Sequence, residues 1–591
     1  MSRLAASLLL AAAACAGLPR APAAPGDLDA LLDRYWEDTL LLNPLLATYV
    51  GDDRYDDRLN DFLAAEYRAR QKAHAERYLA ELARFDRTRL SGQARLSRDV
   101  LARDLALRLE GLRHPDWMIP VHQFDSPFTF LALLAAGKSV QPFRTAKDYD
   151  AFHARLGLAV PILDTAVANM REGIRAGVVQ PRVVVEKALA QLDALAGADA
   201  PERSVFWGAV AAMPETIPAA ERDRIAAAYR ARIGGEVLPA YRRLRDFLRG
   251  EYLPHARETV GLSALPGGRA WYAYLVREST TTDLSPERIH DLGLREVARI
   301  RGQMDEVRRA VGFQGDLAAF FVHLREDPRC YFRDPAALLD GYRELQKRVN
   351  AALPRLFDVF PKADYEVREV EAFRAKSMAG AQYQPGTPDG RRAGVFYVNT
   401  SDLRAQPIFG METLSLHEAS PGHHFQISIA QEITDLPKFR RFNGYVGYQE
   451  GWALYAESIG KELGFFTDPM QWYGRLSDEL LRAMRLVVDT GIHEKGWSRE
   501  QAIRYMLETS SMAESDVVAE VERYIAIPAQ ALGYKVGQLA IGALRREAEA
   551  ALGPRFDVKA FHRQVLVDGA LPLGVLEAKI RAWIAAERAR A

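Results

Sequence analysis

The chain has 591 residues, 48% of them hydrophobic and 26% charged, and its 78 Lys plus Arg balance 78 Asp plus Glu. That balance leaves no basic surplus for nucleic acid, and the length allows two to four domains with ample apolar core. Only two cysteines are present, Cys15 and Cys330, which excludes a disulfide framework.

Residues 1–26 read as an export signal and not as part of the fold. Arg3 is a short basic start, Leu4–Ala16 is an apolar stretch too short for a stable span, and small residues follow at Ala14-Cys15-Ala16 and Ala21-Pro22-Ala23. Ala12-Ala13-Ala14-Cys15 also loosely resembles a bacterial lipoprotein signal, in which Cys15 carries the lipid. The expected destination is the periplasm, either free or anchored through Cys15 to a bacterial membrane facing it. A soluble mature chain keeps only Cys330, so burial alone must stabilise it. No later segment offers the ~18 uninterrupted apolar residues of a transmembrane helix.

Residues 27–265 read as an N-terminal helical region. Between 27 and 115, good helix formers recur at apolar spacings of three and four, with Asp27 as the expected N-cap of the first helix. A polar, aromatic interlude spans 116–147. There His122-Gln123-Phe124-Asp125 could line a cleft, although a locally bonded loop histidine is the plainer reading of His122. Helical spacing resumes over 148–250, with breaks near Ala196–Pro201 and Met213–Pro218. Pro254–Ala270 is Pro/Gly-rich and marks a soft boundary before a second region, 266–591, expected to form one compact unit with the first.

In the second region Ser285–Val311 and Pro335–Val349 read as helices, the first opening on Ser285 as N-cap and Pro286 at N1. Tyr365–Val370 alternates and Gly394–Asn399 is β-branched and aromatic. The turn cluster Pro385–Gly390 between them reads as a hairpin connection. An edge strand of this small sheet could hold an extended peptide by backbone hydrogen bonds. From Asp468 onward the pattern is helical again. Arg485 and Asp489 stand four apart, as an ion pair would. His493 ends its helix, where either the helix dipole or a substrate-facing role accounts for it. Tyr534 and Lys535 sit inside an apolar stretch.

The densest chemistry lies at Leu416–Phe425, L-H-E-A-S-P-G-H-H-F, which holds three of the twelve histidines and Glu418 beside the first. Neutral imidazole is the commonest zinc ligand, and an adjacent carboxylate can take a proton from the water such an ion activates. On an unbroken helix His424 shares the face of His417 but sits about 10 Å further along, and His423 points elsewhere. Pro421 clashes with the carbonyl of His417, and Gly422 opens backbone angles closed to other residues. A break at Ser420-Pro421-Gly422 is therefore expected to swing His423 or His424 back toward His417. A second stretch, Gly444–Leu463, carries Glu450 and Glu457 seven residues apart on one apolar helical face. Buried acids need a cation or a hydrogen-bond partner, and one carboxylate completes a two-histidine zinc site with a position left for water.

Together, H-E-x-x-P-G-H-H and Q-E-G-W-A-L-Y-A-E resemble the domain of unknown function 885 family, grouped with the gluzincin metallopeptidases. The resemblance extends to Gly394–Thr400, Asp489–His493 and Pro528–Gln538. It implies a mostly α, multi-helix gluzincin-like fold with a small sheet beside the active-site helix and a deep central cleft. It also implies one Zn²⁺ on His417, His423 and Glu450, with His424 and Glu457 as rivals or supporting groups. Glu418 is the implied general base, and Tyr534 or His493 the oxyanion donor. The implied substrate is a short peptide, lined by Tyr397 and Asn399, with Arg391, Arg392 or Lys535 available to a C-terminal carboxylate as in a carboxypeptidase. Two other readings fit the residues: a zinc hydrolase of a non-peptide amide or ester, and a non-catalytic exported binding protein with a structural metal. A phosphohydrolase fits poorly, because no His-Asp pair accompanies these histidines.

Overall fold

The computed structural model describes residues 25–90, 92–137, 139–370, 375, 380–389 and 391–590. Of the expected export signal, residues 1–24, with Cys15, lie outside them, whereas Pro25 and Gly26 belong to the first helix. Helices make up most of the chain. Pro25–Leu42, Ala65–Leu82 and Gly92–Gly111 form the first group. The first of them already starts at Pro25, so Asp27 lies inside its opening turn instead of capping it. The Ser285 hydroxyl does cap Pro286–Ala310, accepting from Arg288 N at 3.3 Å.

The apolar core divides differently from a cut at residue 265. Leu28, Trp36, Tyr78 and Leu101 pack in one cluster with Trp452, Leu532 and Leu571, far along the chain. Leu63 and residues between 121 and 256, among them Phe152, Tyr229 and Tyr241, keep a separate cluster. Within the latter the 31-residue helix Ala146–Ala176 is long and apolar enough to cross a membrane by composition, but half of its apolar window is buried inside the molecule. Its Arg155 is fully buried, with Nε on the Arg58 carbonyl (3.0 Å) and Nη2 on the Tyr55 carbonyl (2.6 Å). It is a core helix.

Three short strands, β1 (Tyr365–Glu369), β2 (Ala381–Gln384) and β3 (Gly394–Val398), form a sheet of order β1-β3-β2. The turn that follows Pro385 is a hairpin connection, but it joins β2 to β3; Gly390 of the expected cluster lies outside the described residues. The β1 and β3 strands expected to pair across it run parallel instead. Ala381-Gln382-Tyr383-Gln384 has a single strong β-former, so its composition conceals it. As the central strand, β3 is buried throughout, whereas β2 is left as an edge.

Two helices cross with their backbones in contact: Val446–Ser458, which carries both glutamates, and Leu532–Leu552, which carries Tyr534. A Cβ on Gly537 would lie 1.8 Å from the Gly447 carbonyl oxygen, and one on Gly451 would lie 2.5 Å from the Gly537 Cα. No side chain larger than hydrogen fits. Because overpacking of this kind forces backbone shifts, Gly537→Ala is expected to destabilise the protein by about 1–3 kcal/mol or more, read as a lowered thermal midpoint.

Candidate active site

The helix Met411–Glu418 ends one residue after His417, and a new helix starts at His423. Between them Ala419 (φ −101°, ψ −114°) and Gly422 (φ −75°, ψ −128°) leave helical geometry. This is the break that Pro421 and Gly422 predict. The turn folds tightly on the first helix: a Cβ at Gly422 would lie 1.8 Å from the His417 carbonyl oxygen. Trp452 pins it from the glutamate helix, its indole N–H donating to the Pro421 carbonyl at 2.7 Å.

The turn brings the rings of His417 and His423 to 4.8 Å, nearly perpendicular. His417 Nε2 and His423 Nε2 lie 3.6 and 3.3 Å from Glu450 Oε2. Ligand atoms of these three residues all fall within 4.8 Å of one another. His424 points the other way, buried with its Nδ1 2.9 Å from the Tyr383 hydroxyl and its ring against Tyr365. Burial lowers its pKa to about 4. Glu457 stands behind His417, accepting from Nδ1–H at 2.7 Å, while the Thr413 hydroxyl donates to its other oxygen at 3.0 Å.

These groups fit a zinc ion. Glu450 Oε2 is buried and has no hydrogen-bond partner, an arrangement that leaves a carboxylate oxygen unsatisfied unless a cation meets it. A tetrahedral zinc with N and O ligands at ~2.1 Å sets neighbouring ligand atoms about 3.4 Å apart, close to the separations here. Glu457 on Nδ1 fixes the tautomer that turns Nε2 toward Glu450. Without an ion the same groups share protons. Burial opposes a charge on His417, yet the carboxylates of Glu450 and Glu457 on either side of its ring outweigh it and raise its pKa to about 10. Burial likewise opposes charge on Glu450, and the positive field of His423, with His417 beside it, holds its carboxyl well below the usual range.

A cavity of about 1740 Å³ opens on this cluster, lined in part by His417, Glu418, His423, Glu450 and Tyr534. Glu418, the last residue of its helix, accepts from the β2 backbone N–H of Tyr383 at 2.8 Å. The Tyr534 ring lies parallel to His417, 6.5 Å between centroids, with the Arg485 guanidinium 4.5 Å from the same tyrosine ring. Arg523 Nη2 donates to the Tyr534 hydroxyl at 3.3 Å. Gln123, Phe124 and Asp125 line the far wall; His122 does not, and its Nδ1 accepts from Phe124 N. Asn399 lines the cavity with its amide on the Ala375 carbonyl, whereas Tyr397 packs in the sheet against Val395 and Val370.

Several expected residues lie elsewhere. His493 is a correction: it is buried, donating from Nε2 to the Tyr524 carbonyl (2.9 Å) and accepting Leu262 N–H at Nδ1 (3.1 Å), so neither nitrogen reaches a substrate. Burial lowers its pKa to about 3. Lys535 is fully buried between Glu479 (2.5 Å) and Glu296 (3.0 Å), away from the cavity. Arg391 is exposed and paired with Asp389 and Asp53. Arg485 does not pair with Asp489 but with Glu520 at 2.9 Å, while Asp489 accepts the Tyr272 hydroxyl and Ala529 N–H. Sequence reasoning missed Tyr383 and Trp452 as groups that hold Glu418 and the histidine turn. No local pattern marks either, because their partners lie 35 and 31 residues away.

The family described as "Bacterial protein of unknown function (DUF885)" matches residues 44–580. The chain belongs to this family. Its fold is similar to that of a solved structure described as a "putative lipoprotein" from Colwellia psychrerythraea. That likeness has 31% identity and a TM-score of 0.88, over 95% of this chain and 100% of the other. A second, a "putative lipoprotein of unknown function" from Shewanella oneidensis, aligns over 94% and 99% with 18% identity and a TM-score of 0.72. No curated protein matches this member of the family.

Two outcomes follow from the site. Removing the Glu457 carboxylate in Glu457→Gln is expected to weaken zinc binding roughly 10- to 100-fold, measured by competition with a chelator. His424 and His493 are buried neutral, with pKa values lowered to about 4 and about 3 from an ordinary 6.5. The unfolded chain therefore binds more protons below pH 6.5, so their stabilisation is complete above that pH and lost as the pH falls toward 4. Denaturant midpoints across pH 4–7 in His424→Gln and wild type check the sign.

Proposed function

We propose that this protein is an exported, zinc-dependent hydrolase of gluzincin-like architecture that cleaves short peptides inside the cavity. The observation that carries the reading is Glu450 Oε2, buried and without a hydrogen bond, facing two imidazole nitrogens beside the carboxylate of Glu418. A structural metal has no need of that neighbouring base. His417, His423 and Glu450 would hold the ion, which supplies a Lewis acid and makes water a stronger acid.

The chain's own groups then carry the proton. Glu418, oriented by the Tyr383 N–H on one oxygen, takes a proton from the attacking water and returns it to the leaving amine. Tyr534 donates to the oxygen that becomes negative in the tetrahedral intermediate. Its hydroxyl oxygen already accepts from Arg523, and among the described residues none accepts its hydrogen. The edge of β2, with its Tyr383 N–H on Glu418, lines the same cavity and supports a substrate lying extended along it. The enclosing walls, drawn from both halves of the chain, favour peptides over folded proteins. The Ala12–Cys15 pattern and the similar proteins' descriptions as lipoproteins support anchoring through Cys15.

Elemental analysis with peptide-mixture turnover tests this reading. Wild type and Glu418→Gln are expected to hold about one zinc each, with turnover in Glu418→Gln reduced roughly 10²- to 10⁴-fold. His417→Ala is expected to lose both. Zinc retained by His417→Ala, or zinc without turnover in wild type, counts against the proposal.

A further inference from the structure

Among the described residues, four of the eight cations in the cavity wall are neutralised by protein carboxylates, whereas Arg325, Arg404, Arg441 and Arg392 are not. Arg482 pairs with Asp478 (2.9 Å), Arg485 with Glu520 (2.9 Å), Arg523 with Glu520 (3.5 Å) and Lys187 with Glu522 (2.9 Å). Arg441 gives its N–H groups to the Gln431 carbonyl. Arg392 is different. It lines the cavity, and among the described residues its Nε is buried with no hydrogen-bond partner and its side chain makes a single bond, from Nη2 to the Tyr49 carbonyl at 3.4 Å. No carboxylate of the described residues pairs with it. The nearby Asp389 is taken up by the Thr387 hydroxyl and by Arg391. Burial disfavours the charge on Arg392 and lowers its pKa. A part-buried cation of this kind is unfavourable until an anion meets it.

Its place relative to the candidate catalytic base is set by the β2–β3 turn. Thr387 N donates to the Arg392 carbonyl (2.9 Å), and Arg392 N donates to the Thr387 hydroxyl (3.1 Å). Arg392 therefore sits level with Gly386 and Thr387, three to four residues beyond Tyr383, whose N–H holds Glu418. At the rise of a strand that is roughly 10–13 Å along the edge.

We propose that Arg392 is an anion subsite that binds a carboxylate carried by the substrate three or four residues from the scissile bond. This rests on the hydrolase reading above and narrows its substrate class to anionic peptides. Guanidinium suits the task because it presents planar paired donors to a carboxylate. A peptide antiparallel to β2 brings an acidic side chain from its amino-terminal side to Arg392. One running parallel brings its C-terminal carboxylate.

Two matched peptide pairs test the assignment: Glu against Gln on the amino-terminal side, and free C-terminal acid against amide. Turnover is measured with zinc-loaded wild type and binding by calorimetry with zinc-loaded Glu418→Gln, each with and without Arg392→Met or Arg392→Lys. The acid member of one pair is expected to be preferred roughly 10- to 100-fold, with the preference falling below about threefold in Arg392→Met and partly kept in Arg392→Lys. Which pair responds tells the two carboxylate sources apart. No preference in either pair overturns the proposal. So does a preference that survives in Arg392→Met, which would assign the anion to Arg325 or Arg404 on the same cavity. Absence of all turnover defeats the hydrolase reading alone, since the binding preference of Glu418→Gln still decides for or against Arg392.

Discussion

His417 is held from both sides of its ring by one helix. Glu457 accepts from Nδ1 while Glu450 faces Nε2, and the two glutamates stand seven residues apart on Val446–Ser458. Much of the surrounding structure serves this arrangement. Buried acids and imidazoles are tolerable only when each polar atom meets a partner or a cation. The helix must therefore approach Met411–Glu418 closely and in one register. The glycine crossing with Leu532–Leu552 allows the same helix a second close neighbour, which sets Tyr534 parallel to His417.

The break at Ala419–Gly422 provides the other half of the site. A continuous helix would direct His423 away from His417. The tight turn, with Gly422 packed on the His417 carbonyl and Trp452 bonded to Pro421, returns it to within one ring's width. The adjacent His424 is thereby turned into the sheet, where Tyr383 receives it. Tyr383 also presents its backbone N–H to Glu418, so a single edge-strand residue touches both the base and the discarded histidine. That coupling joins the sheet to the chemistry proposed for the cavity.

The cavity is charged but largely self-neutral. Carboxylates from Glu514–Ala526 and from Pro469–His493 answer Arg482, Arg485 and Arg523, and these pairs fix the wall against which Tyr534 rests. Lys535 shows the same logic in the interior, buried between Glu479 and Glu296. Such clusters hold helices in one relative position because breaking any pair strands a buried charge. Among the described residues Arg392 has no such partner, and its Nε is buried without a hydrogen bond.

Local pattern alone determined the helical character of the chain, the cap at Ser285, the break at Pro421-Gly422, and the cluster of histidines and glutamates worth considering. Apolar spacing and proline geometry act within a few residues, so they are legible in one dimension. Tertiary structure decided which histidine meets His417, that Glu450 and not Glu457 faces the open side, and that Ala381–Gln384 is a strand at the edge of the sheet. It also removed His493, Lys535 and Arg391 from the cavity. A side chain's direction on its own helix follows from its spacing, but the group it meets is supplied by chain 30 to 230 residues distant, as Leu262 is for His493. Packing alone chooses that partner.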